Sequence, residues 1–208
     1  MGARNSLGQT EEEFLKEYDS SKYKKPSVTT DNVIFYVKEN NIEVLLIKRG
    51  NHPDINKWAF PGGFIEMDEN LEVAALRELK EETNLEGIEF EQLHTFGDVD
   101  RDKRDRIITV VYFAVIEEKK KAVAGDDAGD AKWFSVGYEK ISIENSEEYI
   151  LDIKLKSDDL ELNPQIRVSQ SKGKYIAKKK YTQIKNDNMA GDHGKVLAVA
   201  LEKFLEKF

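Results

Sequence analysis

Acidic side chains occupy positions of a predicted helix that would normally be apolar and face the core. They lie in the segment from residue 62 to residue 85, GGFIEMDENLEVAALRELKEETNL. Its pattern predicts a helix over residues 71–83. At about 100° per residue, Glu78, Glu81 and Glu82 share one arc with apolar residues of the preceding turns. Like charges at this spacing destabilise an isolated helix. A fold that keeps them beside its core therefore needs a cation to compensate them.

The chemistry of that cation follows from the ligands that the chain offers. There is no cysteine, and the three histidines are scattered, which leaves oxygen atoms as the donors near the helix. Oxygen donors suit a hard ion, Mg2+ first and Mn2+ next. A solvated acidic face with Glu–Lys pairs is the alternative, and the helical phase argues against it. The turn PGGF before the helix also lets main-chain carbonyl groups approach an ion.

These residues resemble the Nudix box, whose pattern is G-x5-E-x7-R-E-U-x-E-E-x-G-U with an aliphatic residue at U. Gly63 begins the pattern, and Glu69 follows after five residues. The other matching positions are Arg77, Glu78, Leu79, Glu81, Glu82 and Leu85. Asn84 stands where the family has glycine. Because asparagine tolerates a positive φ, we expect the turn after the helix to be kept.

Nudix enzymes use a divalent metal ion and water to cleave a nucleoside diphosphate linked to another group. The resemblance implies that the ion binds the carboxylates of Glu78, Glu81 and Glu82 and the carbonyl oxygen of Gly62. It also implies that Arg77 pairs with Glu69 or Glu78 and holds the carboxylates in position. The expected cofactor is therefore Mg2+ or Mn2+.

A second acidic segment, AGDDAGD at residues 124–130, precedes the predicted strand that contains Trp133. Members of the family often use an acidic residue of a later loop as a metal ligand or general base. The spacing from the tryptophan favours Asp127 for this role, with Asp126 second. A polar turn without a catalytic role is the alternative.

The wider sequence, together with the Asp-His pair that opens the last helix, resembles the ADP-ribose pyrophosphatase branch of the family. Arg49, Arg101 and Arg104 are then candidate contacts to pyrophosphate or ribose phosphate, since a guanidinium group matches phosphate oxygens. Trp58 or Phe60 is a candidate to stack on a base. Solvent exposure for the arginines and core positions for the aromatic residues are the alternatives.

The resemblance predicts an α/β fold of the α+β kind, with a Nudix-type α/β/α sandwich around a mixed sheet. We expect a single domain over residues 1–208, with its core at about 28–137 and a C-terminal helix at about 190–207. Residues 138–187 alternate apolar and polar side chains in part, and they predict a β-rich insertion before that helix.

The expected function is hydrolysis of the pyrophosphate bond of ADP-ribose or a related nucleoside diphosphate derivative. One alternative is a Nudix-derived transcriptional regulator that binds an ADP-ribose-like effector. Another is a pyrophosphohydrolase that removes damaged nucleoside triphosphates. A net charge of −8 argues against a nucleic-acid partner. The stretch 164–186, which has seven Lys or Arg residues and no acid, keeps the regulator open.

The remaining expectations concern location and assembly. The sequence has no apolar run near the roughly 18 residues that a membrane span requires, so we expect no membrane partner. The lack of cysteine suits a reducing compartment, and we expect a cytoplasmic protein. Members of the resembling branch are commonly homodimers, so we expect a homodimer.

Overall fold

The computed structural model describes residues 3–125, 128–173 and 175–207, and the predicted base Asp127 lies outside them. The strands are β1 (Ser27–Lys38), β2 (Asn41–Arg49), β3 (Trp58–Ala59), β4 (Gly62–Phe64), β5 (Glu91–Phe96), β6 (Ile107–Ile116), β7 (Ala128–Ser142), β8 (Tyr149–Ser157), β9 (Leu160–Leu162), β10 (Gln165–Lys172) and β11 (Ala177–Lys185). The helices are α1 (Glu11–Glu17), α2 (Leu71–Thr83) and α3 (His193–Lys207). Within the described residues, no helix combines the length and the apolar character that crossing a bilayer requires.

Strand β1 lies inside the sheet and organises it. It runs parallel to β6 and antiparallel to β2, so the sheet is mixed. The order across the sheet is β11-β10-β8-β7-β2-β1-β6-β5. The short strands β3, β4 and β9 pair with β2, β1 and β8. All strands of the described residues therefore belong to one sheet, and β4 carries the start of the acidic segment to its centre.

A helix covers each face of the sheet, because alternate residues of β1 point to opposite faces. Ile34 packs on one face in the same cluster as Leu79 of α2. Val33 and Phe35 pack on the other face beneath α3, where the Phe35 ring meets the Phe204 ring edge-on at 5.7 Å. The predicted α/β/α sandwich around a mixed sheet is confirmed.

Strand β7 crosses the predicted boundary at residue 138 without a break. It pairs with β2 from Ala128 to Ser135 and with β8 from Ser135 to Ser142. The segment predicted as a β-rich insertion does form strands, but these strands continue the core sheet. Pairing them onto β7 satisfies the main-chain groups of what would be an open edge and buries apolar side chains such as Leu151 in the cluster under α3.

The carboxylate of Glu202 joins α3 to the β-rich segment from within the core. Glu202 is 2% exposed. It accepts hydrogen bonds from the hydroxyl groups of Tyr149 and Tyr181 and from the ammonium group of Lys179, and it pairs with Lys140 at 3.1 Å. Burial alone would raise the pKa of Glu202, but these donors lower it to about 2. The helix is therefore held by an ionised side chain with several partners.

Glu202→Gln should lower the free energy of unfolding at neutral pH by about 3 kcal/mol, because it leaves buried donors without a charged acceptor. A carboxyl group with a depressed pKa stabilises the fold above its ordinary pKa of 4.5, and this contribution is lost as the pH falls towards about 2. The difference in the free energy of unfolding between the variant and the wild type, measured by urea denaturation, should shrink over that pH range.

The control Glu206→Gln removes an exposed partner of Lys179 and should lower the free energy of unfolding by less than about 1 kcal/mol. Equal losses in both variants would contradict the role of the buried carboxylate.

Helix α2 ends at the position where the sequence departs from the box. Asn84 adopts the left-handed conformation, with φ 57° and ψ 23°, and its N–H donates to the carbonyl oxygen of Lys80 at 2.7 Å. This is the backbone geometry for which glycine is usually selected after a helix. Asparagine therefore keeps the turn in place of glycine.

Asn84→Ala should lower the free energy of unfolding by about 1 kcal/mol, because alanine lacks the tolerance of asparagine for left-handed backbone angles. Asn84→Gly should equal or exceed the wild type, since glycine adopts this conformation without strain. Guanidinium denaturation followed by circular dichroism measures both. An alanine variant as stable as the glycine variant would show that the turn is not left-handed in solution.

Candidate functional site

A cleft gathers most of the residues that the sequence singled out. It has a volume of about 550 Å3 and lies where β4, α2, the β2–β3 loop, the β5–β6 loop and the segment before α3 meet. Its lining includes Gly62, Arg77, Glu78 and Glu82 from the box region and the arginines Arg49, Arg101 and Arg104. Acidic and basic side chains therefore face the same space.

Two adjacent glycines bring β4 close to β1 and to α2. Gly62 pairs with Asp31, and Gly63 pairs with Thr30. A Cβ atom on Gly62 would overlap the carbonyl oxygen of Thr30, and one on Gly63 would lie 2.5 Å from Oε1 of Glu78. Because glycine has no Cβ atom, the main chain can approach this closely. The first residues of the box thus set the distance between β4 and the acidic helix.

The guanidinium group of Arg77 lies at the centre of the acidic cluster. Its Nε and Nη2 donate to the two carboxylate oxygens of Glu69 at 3.1 and 2.6 Å. Its Nη1 donates to Glu78 at 2.7 Å and to Glu81 at 3.0 Å, and Nη2 also reaches the carbonyl oxygen of Phe64 at 3.1 Å. Hydrogen bonding to Glu69 raises the pKa of Arg77, so it stays charged. One cation thus orients three carboxylates.

Glu82 points towards the Gly-Gly turn instead. Its Oε2 accepts a hydrogen bond from the N–H of Gly62 at 2.8 Å. Burial raises the pKa of Glu82 to about 8, the N–H of Gly62 and the charge of Arg49 oppose this, and the charges of Glu78 and Asp31 reinforce it. Burial also raises the pKa of Glu78, against the opposing effect of its arginine partner. Burial therefore raises the pKa of two carboxyl groups of the box, and it does so for Glu78 despite the ion pair with Arg77.

The chemistry of these groups suits a divalent metal ion. Glu78 and Glu82 face the cleft beside Gly62, and carboxylate and carbonyl oxygens are the donors that Mg2+ and Mn2+ prefer. Burial raises the pKa of both glutamates, and a bound cation would offset the cost of ionising them there. Within the described residues, however, no three acidic or imidazole side chains converge as a metal cage. Glu78 and Glu81 pair with Arg77, whereas Glu82 accepts the N–H of Gly62.

Two of the cleft arginines have different surroundings. Arg101 donates from Nε and Nη2 to both carboxylate oxygens of Asp192, at 3.1 and 2.8 Å, and its side chain is only 7% exposed. Arg49 donates from Nε to the carbonyl oxygen of Pro53 at 2.9 Å, and its charge acts on Glu82. Arg101 therefore holds the segment before α3, whereas Arg49 brings a positive charge to the acidic side of the cleft.

Trp58 and Phe60 lie in the core and not at the cleft, which corrects the expectation that one of them stacks on a base. Their exposed fractions are 2% and 1%. Trp58 packs edge-on against Phe134 with ring centres 4.8 Å apart, and Phe60 stacks on the imidazole ring of His193 at 5.5 Å. Both rings belong to the cluster under α3, so neither has a face free for a ligand.

Asp31 and His193 also line the cleft, although the sequence did not single them out as site residues. Asp31, in the middle of β1, is 7% exposed and accepts a hydrogen bond from the hydroxyl group of Thr109 at 2.5 Å. His193 opens α3, accepts the N–H of Phe60 on Nδ1 at 2.9 Å and places Nε2 3.9 Å from Oδ1 of Asp31. The signals were the polar run TTDN inside a strand and the Asp-His pair at the helix start.

Comparison with known proteins agrees with this geometry. The family described as NUDIX domain matches residues 28–149, which is more than half of the chain and includes the entire box. The acidic helix, the Gly-Gly turn before it and most of the mixed sheet lie within the match. The chain belongs to the Nudix family.

Three similar proteins show how much of the chain is shared and at what sequence identity. The ADPR responsive transcriptional repressor NtrR of Acinetobacter baylyi is 41% identical over 112 residues, 53% of this chain and 45% of the repressor. The ADP-ribose pyrophosphatase of Methanocaldococcus jannaschii is 39% identical over 127 residues, 59% of this chain and 72% of that enzyme. A crystal structure of a MutT/nudix family protein from Enterococcus faecalis has a TM-score of 0.71 at 32% identity and covers 95% of this chain and 70% of that one. The chain thus spans less than half of the repressor.

Glu82→Gln should raise the free energy of unfolding of the metal-free protein at alkaline pH. The pKa of Glu82, about 8, lies above its ordinary value of 4.5, so the folded state loses stability as the pH rises through that interval. Glutamine does not ionise and still accepts the N–H of Gly62. In urea denaturation with EDTA, the variant should match the wild type near the ordinary pKa and gain about 1–3 kcal/mol above the raised one. A difference that does not change with pH would contradict the raised pKa.

Proposed function

We propose that this protein is a magnesium-dependent hydrolase that cleaves the pyrophosphate bond of ADP-ribose or a related nucleoside diphosphate derivative. The observation that carries the proposal is the cleft in which box carboxylates and arginine side chains face each other. Carboxylates suit a divalent ion, and guanidinium groups suit phosphate oxygens. The 39% identity to the ADP-ribose pyrophosphatase supports this choice of substrate.

The carboxylates would hold Mg2+ or Mn2+, with Glu78, Glu81 and Glu82 as ligands and the carbonyl oxygen of Gly62 as a further donor. A bound divalent ion neutralises phosphate charge and acidifies the water that attacks phosphorus. Arg77 keeps the carboxylates ordered, because its guanidinium group spans three of them. The acidic cluster is then preorganised on a rigid helix instead of on a mobile loop.

The opposite wall of the cleft would bind the substrate. Arg49 brings a cationic group near the acidic side, where it can bind the pyrophosphate oxygens. Asp31 and His193 lie side by side in the lining, with Nε2 of His193 3.9 Å from Oδ1 of Asp31, and would add a polar wall to this site. Arg101 acts through Asp192, because it fixes the segment that carries this wall.

Glu82→Gln should lower kcat/KM for ADP-ribose at least about a hundredfold, since it removes an anionic oxygen donor from the metal site. The control Glu72→Gln makes the same change at an exposed position of the same helix and should retain activity. Steady-state kinetics with magnesium measure both, and circular dichroism checks that both variants fold. Undiminished turnover in Glu82→Gln would refute the metal assignment.

A substrate panel tests the reaction itself. The purified chain is incubated with ADP-ribose, NADH, sugar nucleotides and deoxynucleoside triphosphates, with magnesium, with manganese and with EDTA. Production of AMP and ribose 5-phosphate from ADP-ribose, abolished by EDTA, is the expected result. Release of pyrophosphate from a nucleoside triphosphate would support the alternative of a nucleotide-cleansing enzyme. No turnover of any compound would overturn the hydrolase.

A transcriptional regulator is the second candidate, and two observations favour it. The repressor of Acinetobacter baylyi is 41% identical in the shared part. The cross-strand register also puts several exposed basic residues on the sheet face opposite α3, namely Lys154, Lys156, Arg167, Lys178 and Lys180. Glu139 and Asp152 share this face, so its charge is mixed. The regulator would bind DNA through a basic surface and ADP-ribose in the cleft.

A fluorescence anisotropy titration separates the two candidates. Labelled duplex DNA is mixed with the full chain at low salt, with and without ADP-ribose. Binding that weakens with salt and responds to ADP-ribose would support the regulator. The variant Lys178→Glu with Lys180→Glu should then lose DNA binding and keep its ADP-ribose affinity. Absence of binding at low salt would exclude the regulator and leave the hydrolase.

A further inference from the structure

A half-exposed aromatic ring lies in the cleft beside the Gly-Gly turn. Phe64, the last residue of β4, lines the cleft and is 45% exposed, whereas Trp58 and Phe60 on the same stretch of chain are buried. A large apolar ring at a polar cleft leaves surface that gains free energy when a ligand covers it. Glu78 and Glu82 line the same cleft, so a ligand on this ring would share the space with two carboxylates of the box.

Arg104 lies over the Phe64 ring, with its guanidinium carbon 5.1 Å from the ring centre. Asp102 fixes this guanidinium group by accepting from Nε at 3.0 Å and from Nη2 at 2.8 Å. The main-chain N–H of Arg104 donates to the same carboxylate at 2.9 Å. One edge of the guanidinium group is therefore occupied by a carboxylate, so that edge cannot fork onto a phosphate. The planar face turned away from Phe64 is suited to stacking on a ligand.

We propose that Phe64 and Arg104 form a stacking platform for the aromatic base of the nucleotide, an inference that rests on the proposed function. Bases stack on aromatic rings and on guanidinium planes, and one such contact changes affinity by about ten- to a hundredfold. The platform assigns the base to the β4 side of the cleft and leaves Arg49 for the phosphates. Arg104 thereby changes from a candidate phosphate contact to a base contact. The substrates preferred are those that carry a planar base beside the pyrophosphate.

Two ligands that differ only in the base test the platform. AMP and ribose 5-phosphate carry the same phosphate and sugar, and isothermal titration calorimetry measures their affinities for the full chain with magnesium. The wild type should bind AMP at least about tenfold more tightly. Phe64→Leu should remove most of this preference and leave ribose 5-phosphate unchanged, whereas Phe64→Tyr should restore it. The control Tyr138→Leu removes a ring that is 43% exposed on β7, outside the cleft, and should change neither affinity.

Arg104→Lys separates base stacking from phosphate binding. Lysine keeps the positive charge but lacks the planar face, so AMP should bind several-fold more weakly and ribose 5-phosphate as before. Equal weakening of both ligands would show that Arg104 contacts the phosphate and would overturn its place in the platform. A wild type without preference for AMP, or a Phe64→Leu variant that keeps the preference, would overturn the proposal as a whole.

Failure of the stacking platform can be distinguished from failure of the proposed hydrolase activity. The calorimetric comparison uses no turnover, so a preference for AMP that depends on Phe64 stands even if ADP-ribose is not hydrolysed. Conversely, hydrolysis of ADP-ribose with an unchanged KM in Phe64→Leu supports the enzyme and refutes the platform. In the expected case, Phe64→Leu raises KM for ADP-ribose about tenfold and changes kcat little.

Discussion

The contact between Arg77 and its carboxylates is the interaction on which the rest of the cleft depends. Two like charges 5 Å apart cost roughly 3 kcal/mol at an effective dielectric constant near 20, so this cluster would not stay together alone. A guanidinium group offers five donors in one plane, which is why it can reach Glu69, Glu78 and Glu81 together. Once these acids are held, Gly63 can pass beside Glu78 and β4 can pair with β1.

The sequence predicted the acidic and basic parts of the cleft better than its aromatic part. Helical spacing indicates a common face for the glutamates of the box, and Glu78 and Glu82 do line the cleft, whereas Glu81 is not among its lining residues. The side towards which a short strand turns its residues depends on its partner strand, which local sequence does not contain. Trp58 and Phe60 are two residues apart, and both side chains are buried in the core. Phe64, beyond the Gly-Gly turn, lines the cleft.

Contacts between distant parts of the chain explain the other differences. The change in polar and apolar alternation at residue 138 marks a change in burial along β7, and the strand itself continues. Asp31 and His193 lie at opposite ends of the chain, and their approach depends on how α3 packs over β1. A short window of sequence shows neither the continuation of β7 nor the approach of Asp31 to His193. By contrast, Asn84 was predictable, because the conformational preference of a single residue type decides that turn.

Residues 190–193 form one wall of the cleft, so the cleft depends on residues beyond the family match. That wall lies well beyond residue 149, the last residue of the family match. It is tied to the rest of the cleft by Arg101 on Asp192 and by the N–H of Gly191 on Asp54 at 3.0 Å. A protein shortened to the recognisable family segment would retain every residue of the box and still have a cleft open on one side. The family match therefore contains the acidic box, and the chain beyond it completes the enclosure of the cleft.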